Sequence, residues 1–331
     1  MPRKLKGKKA PFPKTVKPML ATLVEKPFDE PGWIYEIKWD GYRALALLNK
    51  GKLQLLSRNN KSFAEKYYPV ADALKKWRTT AIVDGEIAVL KEKGIADFGA
   101  LQNWRTEADG EIVYYVFDLL YLNGYDLTQL PLSERRELLK ANLPVSHLIR
   151  LSEDFDTTAS DFLATVSKLG MEGIMAKKED SLYFPGDRSR EWVKLKANKR
   201  HEVVIGGYTK NAGSPKSFSS LLVGVYDNKK LIYTGKIGTG FSEETQKEIL
   251  KQLSKIKATK SPFSEEPDVN KPSRFRPNPP DATAIWVKPK LVCEVSYTEM
   301  TSSGVMRHPS FEGMRTDKKA SDVHREKNVE I

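Results

Sequence analysis

The sequence predicts an α+β protein in two parts, a mixed part of sheets and flanking helices followed by a small closed β-barrel. Three observations carry this. Strand-like runs follow one another directly near the front of the chain, as over residues 33–56, which favours antiparallel pairing over a doubly wound parallel sheet. The pattern changes near Lys199, after which short strands dominate. One helix stands among those later strands, and about five strands with one helix in about 130 residues suits a barrel of the OB type.

Residues 1–17 carry seven Lys/Arg and no acid. They read as a solvated basic tail or as an arm that touches a phosphate backbone. Residues 18–199 make the first domain and 200–331 the second. In the first, strands are expected at Trp33–Trp39, Tyr42–Leu48, Leu53–Ser57, Thr80–Leu90, Glu111–Leu122, Gly173–Lys177 and Glu191–Leu195. Helices are expected at Phe63–Trp77, Ser133–Ala141 and Ser160–Leu169. In the second, strands are expected at 201–209, 221–227, 230–237, 284–288 and 291–298. Its helix has Ser242 as N-cap, Glu243 and Glu244 in the first turn, and Leu250, Leu253 and Ile256 at helical spacing. Residues 261–280 hold six prolines and read as an extended loop.

The 331 residues, 40% of them hydrophobic, suffice for one large or two ordinary domains. With 55 basic and 43 acidic residues the net charge is +12, an excess that points to a polyanion, usually nucleic acid. No apolar run reaches the roughly 18 residues of a membrane span, and no long amphipathic basic helix is present, so a membrane role is not expected. Cys293 sits in an apolar alternating run, Leu291–Val295, and reads as a small core residue; a disulfide framework is excluded. The four histidines lack metal-ligand spacing. The N-terminus has no apolar core of a secretory signal, and the expectation is a soluble cytoplasmic protein.

Several strings carry chemistry. Lys38-Trp39-Asp40-Gly41-Tyr42-Arg43 places a lysine, a carboxylate, a tight turn and an arginine together. Strand alternation puts Glu36, Lys38 and Asp40 on one face and Tyr35, Ile37 and Trp39 on the other. A lysine becomes a nucleophile when burial or neighbouring cations lower its pKa, and a site full of other lysines would do so. In Val83-Asp84-Gly85-Glu86-Ile87, two carboxylates lie within an apolar strand and need partners, unless the strand is a half-exposed edge. Glu172-Gly173 precedes another apolar strand. Glu86 and Glu172 would together supply hard oxygen ligands for Mg²⁺. Phe117 lies in an apolar run and reads first as core. Lys194 and Lys196 share one strand face, opposite Val193 and Leu195, and suit a phosphate. Arg315-Thr316-Asp317-Lys318 reads alone as a surface charge cluster. No P-loop string is present, so any nucleotide phosphates must be held by separate lysines.

Taken in order, these strings resemble the covalent nucleotidyltransferase superfamily of polynucleotide ligases and capping enzymes, over about residues 18–320. Within it the chain resembles bacterial ATP-dependent DNA ligases of the end-joining type. The supporting strings are Lys17-Pro18-Met19-Leu20-Ala21, Ser57-Arg58-Asn59, Lys236-Ile237-Gly238-Thr239-Gly240-Phe241, Val287-Lys288-Pro289 and Arg307-His308-Pro309-Ser310-Phe311. The resemblance implies a nucleotidyltransferase domain followed by an OB-fold domain, here as a stand-alone ligase module.

It further implies that Lys38 takes AMP from ATP, with Mg²⁺ or Mn²⁺, and passes it to a 5′-phosphate in nicked or broken duplex DNA. By the same resemblance, Glu86 binds ribose and metal, Phe117 stacks on adenine, and Glu172 holds metal. Lys194 and Lys196 contact the α-phosphate, and backbone groups near Glu36 and Ile37 read the adenine edge. Arg43 and Arg58 meet nucleotide or nick phosphates. Asp317 and Lys318, with Arg315 beside them, orient the pyrophosphate when the second domain closes. A monomer is implied, with a Ku-type end-binding protein and a separate repair polymerase as partners. Two readings stay open at this point: an RNA ligase or GTP-using capping enzyme, and a non-catalytic nucleic-acid binder on a degenerate ligase fold.

Overall fold

The structure is a computed structural model that describes residues 7–91, 94–197, 199–271 and 281–325. The chain divides into two compact units, Met1–Asn198 with Lys327–Ile331, and Lys199–Glu326.

Among the described residues the first unit holds twelve strands: β1 Lys8–Lys9, β2 Leu20–Leu23, β3 Trp33–Ile37, β4 Tyr42–Asn49, β5 Lys52–Ser57, β6 Ala81–Leu90, β7 Glu111–Leu122, β8 Tyr125–Asp126, β9 Ile149–Leu151, β10 Asp154–Phe155, β11 Gly173–Lys178 and β12 Arg188–Lys196. One sheet runs β1-β8-β7-β6-β4-β5, with β9 beside β7, and the other runs β10-β3-β11-β12-β2. Pairing is antiparallel except for β7 with β9 and β12 with β2. Strand β6 lies between β4 and β7. Asp84 and Glu86 are therefore interior, and the edge-strand reading falls away.

Alternation along these strands builds a layered unit. Val83, Ile87 and Val89 join Tyr114 and Val116 in a core closed by helices α1 (Tyr68–Lys76) and α2 (Phe98–Asn103). The opposite face, with Leu45, Leu47, Ile82 and Leu120, packs on Trp192 and Ile34 of the second sheet. The far face of that sheet buries Tyr35, Ile174, Val193 and Leu195 against α4 (Ala159–Lys168). Helix α3 (Leu132–Asn142) contributes Leu132 to the inter-sheet core and Leu139 to the first.

Some elements differ from expectation. Helix α1 begins at Tyr68 because Pro69 lacks an N–H and suits the first turn; residues 64–67 stay in turns. Helix α2 was not expected; its N-cap is Asp97, which accepts from Ala100 N at 2.6 Å. Lys8 and Lys9 pair with Asp126 and Tyr125, and Phe12 packs edge-on against Tyr121 at 5.2 Å. This part of the basic segment is thus docked on the first sheet; residues 1–6 lie outside the described residues.

In the second unit, β13 (Arg200–Asn211), β14 (Ser220–Asp227), β15 (Lys230–Ile237), β16 (Ala282–Ser296) and β19 (Ser310–Met314) form a sheet in the order β15-β14-β13-β16-β19. Thr239, just past β15, bridges Ser310 in parallel, and Phe311 N donates to Thr239 O at 3.0 Å, joining the two end strands. That is the closed OB-type barrel. Strands β17 (Glu299–Met300) and β18 (Met306–Arg307) make a small hairpin. Helix α5 (Glu243–Leu253) has Ser242 Oγ accepting from Thr245 N at 3.1 Å. Cys293 is buried in the barrel core. Of the proline-rich loop, Phe263 enters that core, and 272–280 lie outside the described residues.

Candidate active site

The same alternation that fills the cores aims the polar residues of the first unit into the space between its two sheets. On β4 and β6, Arg43 follows the phase of Leu45 and Leu47, and Asp84 and Glu86 that of Ile82. On β12, Lys194 and Lys196 follow Trp192, while Val193 and Leu195 point to the far core. On β3, Glu36 follows Ile34.

Lys38 stands just past the end of β3. Its N–H donates to Gly173 O at 2.9 Å, and its ammonium forms an ion pair with Glu172. Glu172 is 8% exposed. Two glycines make these approaches possible. A Cβ on Gly41 would lie 2.1 Å from Ile87 O, and one on Gly173 would lie 2.1 Å from Leu195 O. Strand β3 ends at Ile37, so the expected alternation does not reach Trp39. Its ring instead stacks on Tyr115 with centroids 3.5 Å apart.

The electrostatics correct one expectation. Burial acts to lower the Lys38 pKa, but Glu172, Glu86 and Asp40 together outweigh it and hold the ammonium up at about 12. The lysines expected to depress it bear on Glu172 instead. Burial raises that carboxyl, and Lys38, Lys196 and Lys194 bring it below its usual range. Lys196 pairs in register with Gly173 and Lys194 with Met175, which places both beside Glu172.

Arg43 forms a fork on Asp84, Nε to Oδ1 at 3.0 Å and Nη2 to Oδ2 at 2.6 Å, and Tyr183 donates to the same Oδ2 at 2.6 Å. Its guanidinium is committed chiefly to a fully buried carboxylate. Glu86 lies across from Arg43 on β4 and Tyr115 on β7. Phe117 is half-buried, with Arg43 5.3 Å and Lys177 4.4 Å from its ring centre. Arg58 occupies the turn after β5, which is closed by Asn60 N donating to Ser57 O at 2.9 Å. Glu36 is strand-paired on both sides, to Met175 and Asp154, and Ile37 to Ile174.

In the second unit the Arg-Thr-Asp-Lys string is not a loose surface cluster. Arg315 grips Asp317 through Nε and Nη2, both at 3.0 Å, and its Nη1 lies 3.2 Å from Glu294 Oε2. Lys318 Nζ lies 2.8 Å from Glu202 Oε1. Asp317 is 5% exposed. Sequence reasoning missed Glu202 and Glu294, because partners on distant strands leave no local pattern.

The described residues gather no group of three or more His, Cys, Asp or Glu side chains suited to a metal. Glu86 and Glu172, the two carboxylates acting on Lys38 together with Asp40, still fit a hard divalent cation that takes its other ligands from substrate phosphates and water. No helix among the described residues is long and apolar enough to cross a membrane.

Comparison with known proteins identifies the family. Residues 18–196 match the family "ATP dependent DNA ligase domain", and residues 214–318 match "ATP dependent DNA ligase C terminal region". The chain is 38% identical to the multifunctional non-homologous end joining protein LigD of Pseudomonas aeruginosa, over 96% of this chain and 37% of that protein. It thus spans little more than a third of that relative. It is 30% identical to DNA ligase C1 of Mycolicibacterium smegmatis, over 89% of this chain and 87% of that one. Among solved structures, mycobacterial DNA ligase D complexed with ATP and MES superposes with a TM-score of 0.66 at 35% identity, covering 94% of this chain and 98% of that one. A lysine ion-paired to a buried glutamate between two sheets, a following barrel and these matches agree: the chain belongs to the ATP-dependent DNA ligases.

Proposed function

We propose that this chain joins a 5′-phosphate to a 3′-hydroxyl in duplex DNA through AMP carried on Lys38. The Lys38–Glu172 ion pair between the two sheets is the observation that carries this reading. Lys38 Nζ bonds to the α-phosphorus of ATP, the bond to the bridging oxygen breaks, and pyrophosphate leaves. The adenylate then passes to the 5′-phosphate, and the 3′-hydroxyl displaces AMP. Splitting the reaction in this way is the gain of nucleophilic catalysis.

An ammonium cannot attack, so Lys38 must first lose a proton. Burial favours the neutral amine, and Glu172, Glu86 and Asp40 oppose this. A divalent cation held by Glu172 would weaken that carboxylate's pull on Lys38 and so would favour the neutral amine. Glu86 and Glu172 would hold Mg²⁺ or Mn²⁺, whose bound charge would offset that of the phosphates. Lys194 and Lys196, beside Glu172, put positive charge where the α-phosphate becomes more negative. Glu86 also takes the ribose, and Phe117 stacks on adenine beside the Glu36–Ile37 backbone. Arg43 and Arg58 meet nucleotide or nick phosphates, and Arg43 also fixes Asp84 and the strand pair. Asp317 and Lys318, with Arg315, orient the pyrophosphate, for which they exchange the partners they hold within their own unit.

The likeness to end-joining proteins supports broken ends as substrates, and a Ku-type protein and a repair polymerase are the partners proposed with them. Incubating the purified chain with α-labelled ATP or GTP and a nicked duplex tests the reading. Label on the Lys38 peptide from ATP, and a sealed strand, are expected. Label from GTP alone, or none at Lys38, would overturn it.

A further inference from the structure

A second ionic cluster of the first unit has side chains to which these steps assign no role. At its centre is the Glu36 carboxylate, 1% exposed. Oε1 accepts from Arg136 Nη1 at 2.7 Å and from Lys177 Nζ at 2.8 Å, and Oε2 accepts from Ser152 Oγ at 3.0 Å. Arg136 Nη2 also donates to Asp154 Oδ1 at 2.7 Å and to Ser152 O at 3.0 Å. Lys140 Nζ also reaches Asp154 Oδ1, at 3.5 Å, so each acid of the cluster is paired with two bases, Arg136 being shared. Among the described residues no buried side-chain nitrogen or oxygen lacks a partner.

The cluster touches both sides of the nucleophile. Glu36 is two residues before Lys38. Trp39, the residue after it, donates from Nε1 to Ser152 Oγ at 3.1 Å. Lys177 carries the cluster on to Phe117, its ammonium 4.4 Å from the ring centre. Arg135, next to Arg136 on α3, grips Asp118, next to Phe117, through Nε at 2.8 Å and Nη2 at 2.9 Å. Adjacent arginines of one helix thus hold the flanks of Lys38 on one sheet and of Phe117 on the other.

Buried charges are costly unless fully paired, and a fully satisfied network fixes its members in one arrangement. Displacing a reacting group by about 1 Å can cost about a hundredfold in rate. We propose that Arg136 is a positioning residue for lysyl-AMP formation, which through Glu36, Ser152 and Lys177 sets residues 36–39 against Phe117. This rests on the reading of Lys38 as the nucleophile.

The test is single-turnover formation of lysyl-AMP by the full chain across ATP concentrations, with thermal midpoints measured in parallel. Arg136→Gln is expected to raise KM for ATP about tenfold and to lower the maximal rate. Arg136→Lys keeps the charge but not the fork, and should recover part of the loss. Asp154→Asn removes the charge of an exposed partner, shared by Arg136 and Lys140, so it should keep the wild-type midpoint and raise KM about threefold. If Arg136→Gln does not fold, the other two variants decide. Lower midpoints with wild-type KM and rate per folded molecule would reduce Arg136 to a scaffold residue and overturn the proposal. Wild-type protein that forms no adenylate at Lys38 would instead remove the nucleophile reading, and this role with it.

Discussion

Lys38 and Glu172 form an ion pair in which the carboxylate is buried and the lysine backbone is tied to the residue after its partner. With Glu86 and Asp40, the pair keeps the Lys38 ammonium protonated. Glu172→Gln removes the largest pull that raises the Lys38 pKa, so burial, still opposed by Glu86 and Asp40, brings that pKa down from its wild-type value. At pH 8, without nucleotide, Lys38 should then react faster with an amine-directed acylating reagent than in the wild type, as read by peptide mass spectrometry. An unchanged rate would show that Glu172 does not control the proton.

Asp84 is fully buried and is held by Arg43 and Tyr183. Arg43→Met should destabilise the first unit by about 3–5 kcal/mol, since it strands a buried charge. Tyr183→Phe removes one hydrogen bond to that charge and should cost about 1.5–3 kcal/mol. Denaturant unfolding measures both, and equal costs would contradict the fork's dominance.

The docked segment around Phe12 gives a different expectation from a solvated tail. Phe12→Ala should lower stability by about 1–3 kcal/mol while leaving the salt dependence of DNA binding unchanged. Deleting residues 1–17 should change both thermal midpoint and salt slope. A deletion that altered only the slope would mean that the packing against Tyr121 contributes nothing.

Asp317→Asn weakens the grip on Arg315 and should slow adenylation by ATP more than sealing of a nick that already carries AMP. Lys318→Ala, which leaves Glu202 with one cation fewer, should do the same. Rapid-quench assays of the two steps compare them, and equal losses would refute a role specific to the leaving group.

Burial pushes the Cys293 thiol up. The native protein should resist iodoacetamide near pH 8 and take one equivalent when unfolded, because only the thiolate reacts. Native labelling at the unfolded rate would place Cys293 outside the barrel core.

Much of the fold was legible because its constraints are local. Alternation around Glu86 and around Lys194 and Lys196 assigns those side chains to one face whatever sheet they join. Ser242 announces the second-unit helix by capping its first turn. Asp97 does the same for α2, but in too short a stretch for periodicity to register. Trp39 escaped because alternation holds only while a strand lasts, and β3 ends two residues earlier.

By itself, the sequence determined the two-part α+β architecture, the ordered set of chemical strings and the lysine at their head. The tertiary structure decided which charges meet. Glu36 finds Arg136 and Lys177 at separations of 100 and 141 residues, and Arg315 finds Glu294 21 residues away. Such partners follow from sheet order and inter-sheet packing, which no local spacing encodes. For the same reason the charge state of Lys38 ran opposite to expectation. The sequence displays nearby lysines, but the pKa follows from the nearest buried carboxylate, and only the pairing of β3 with β11 brings Glu172 there.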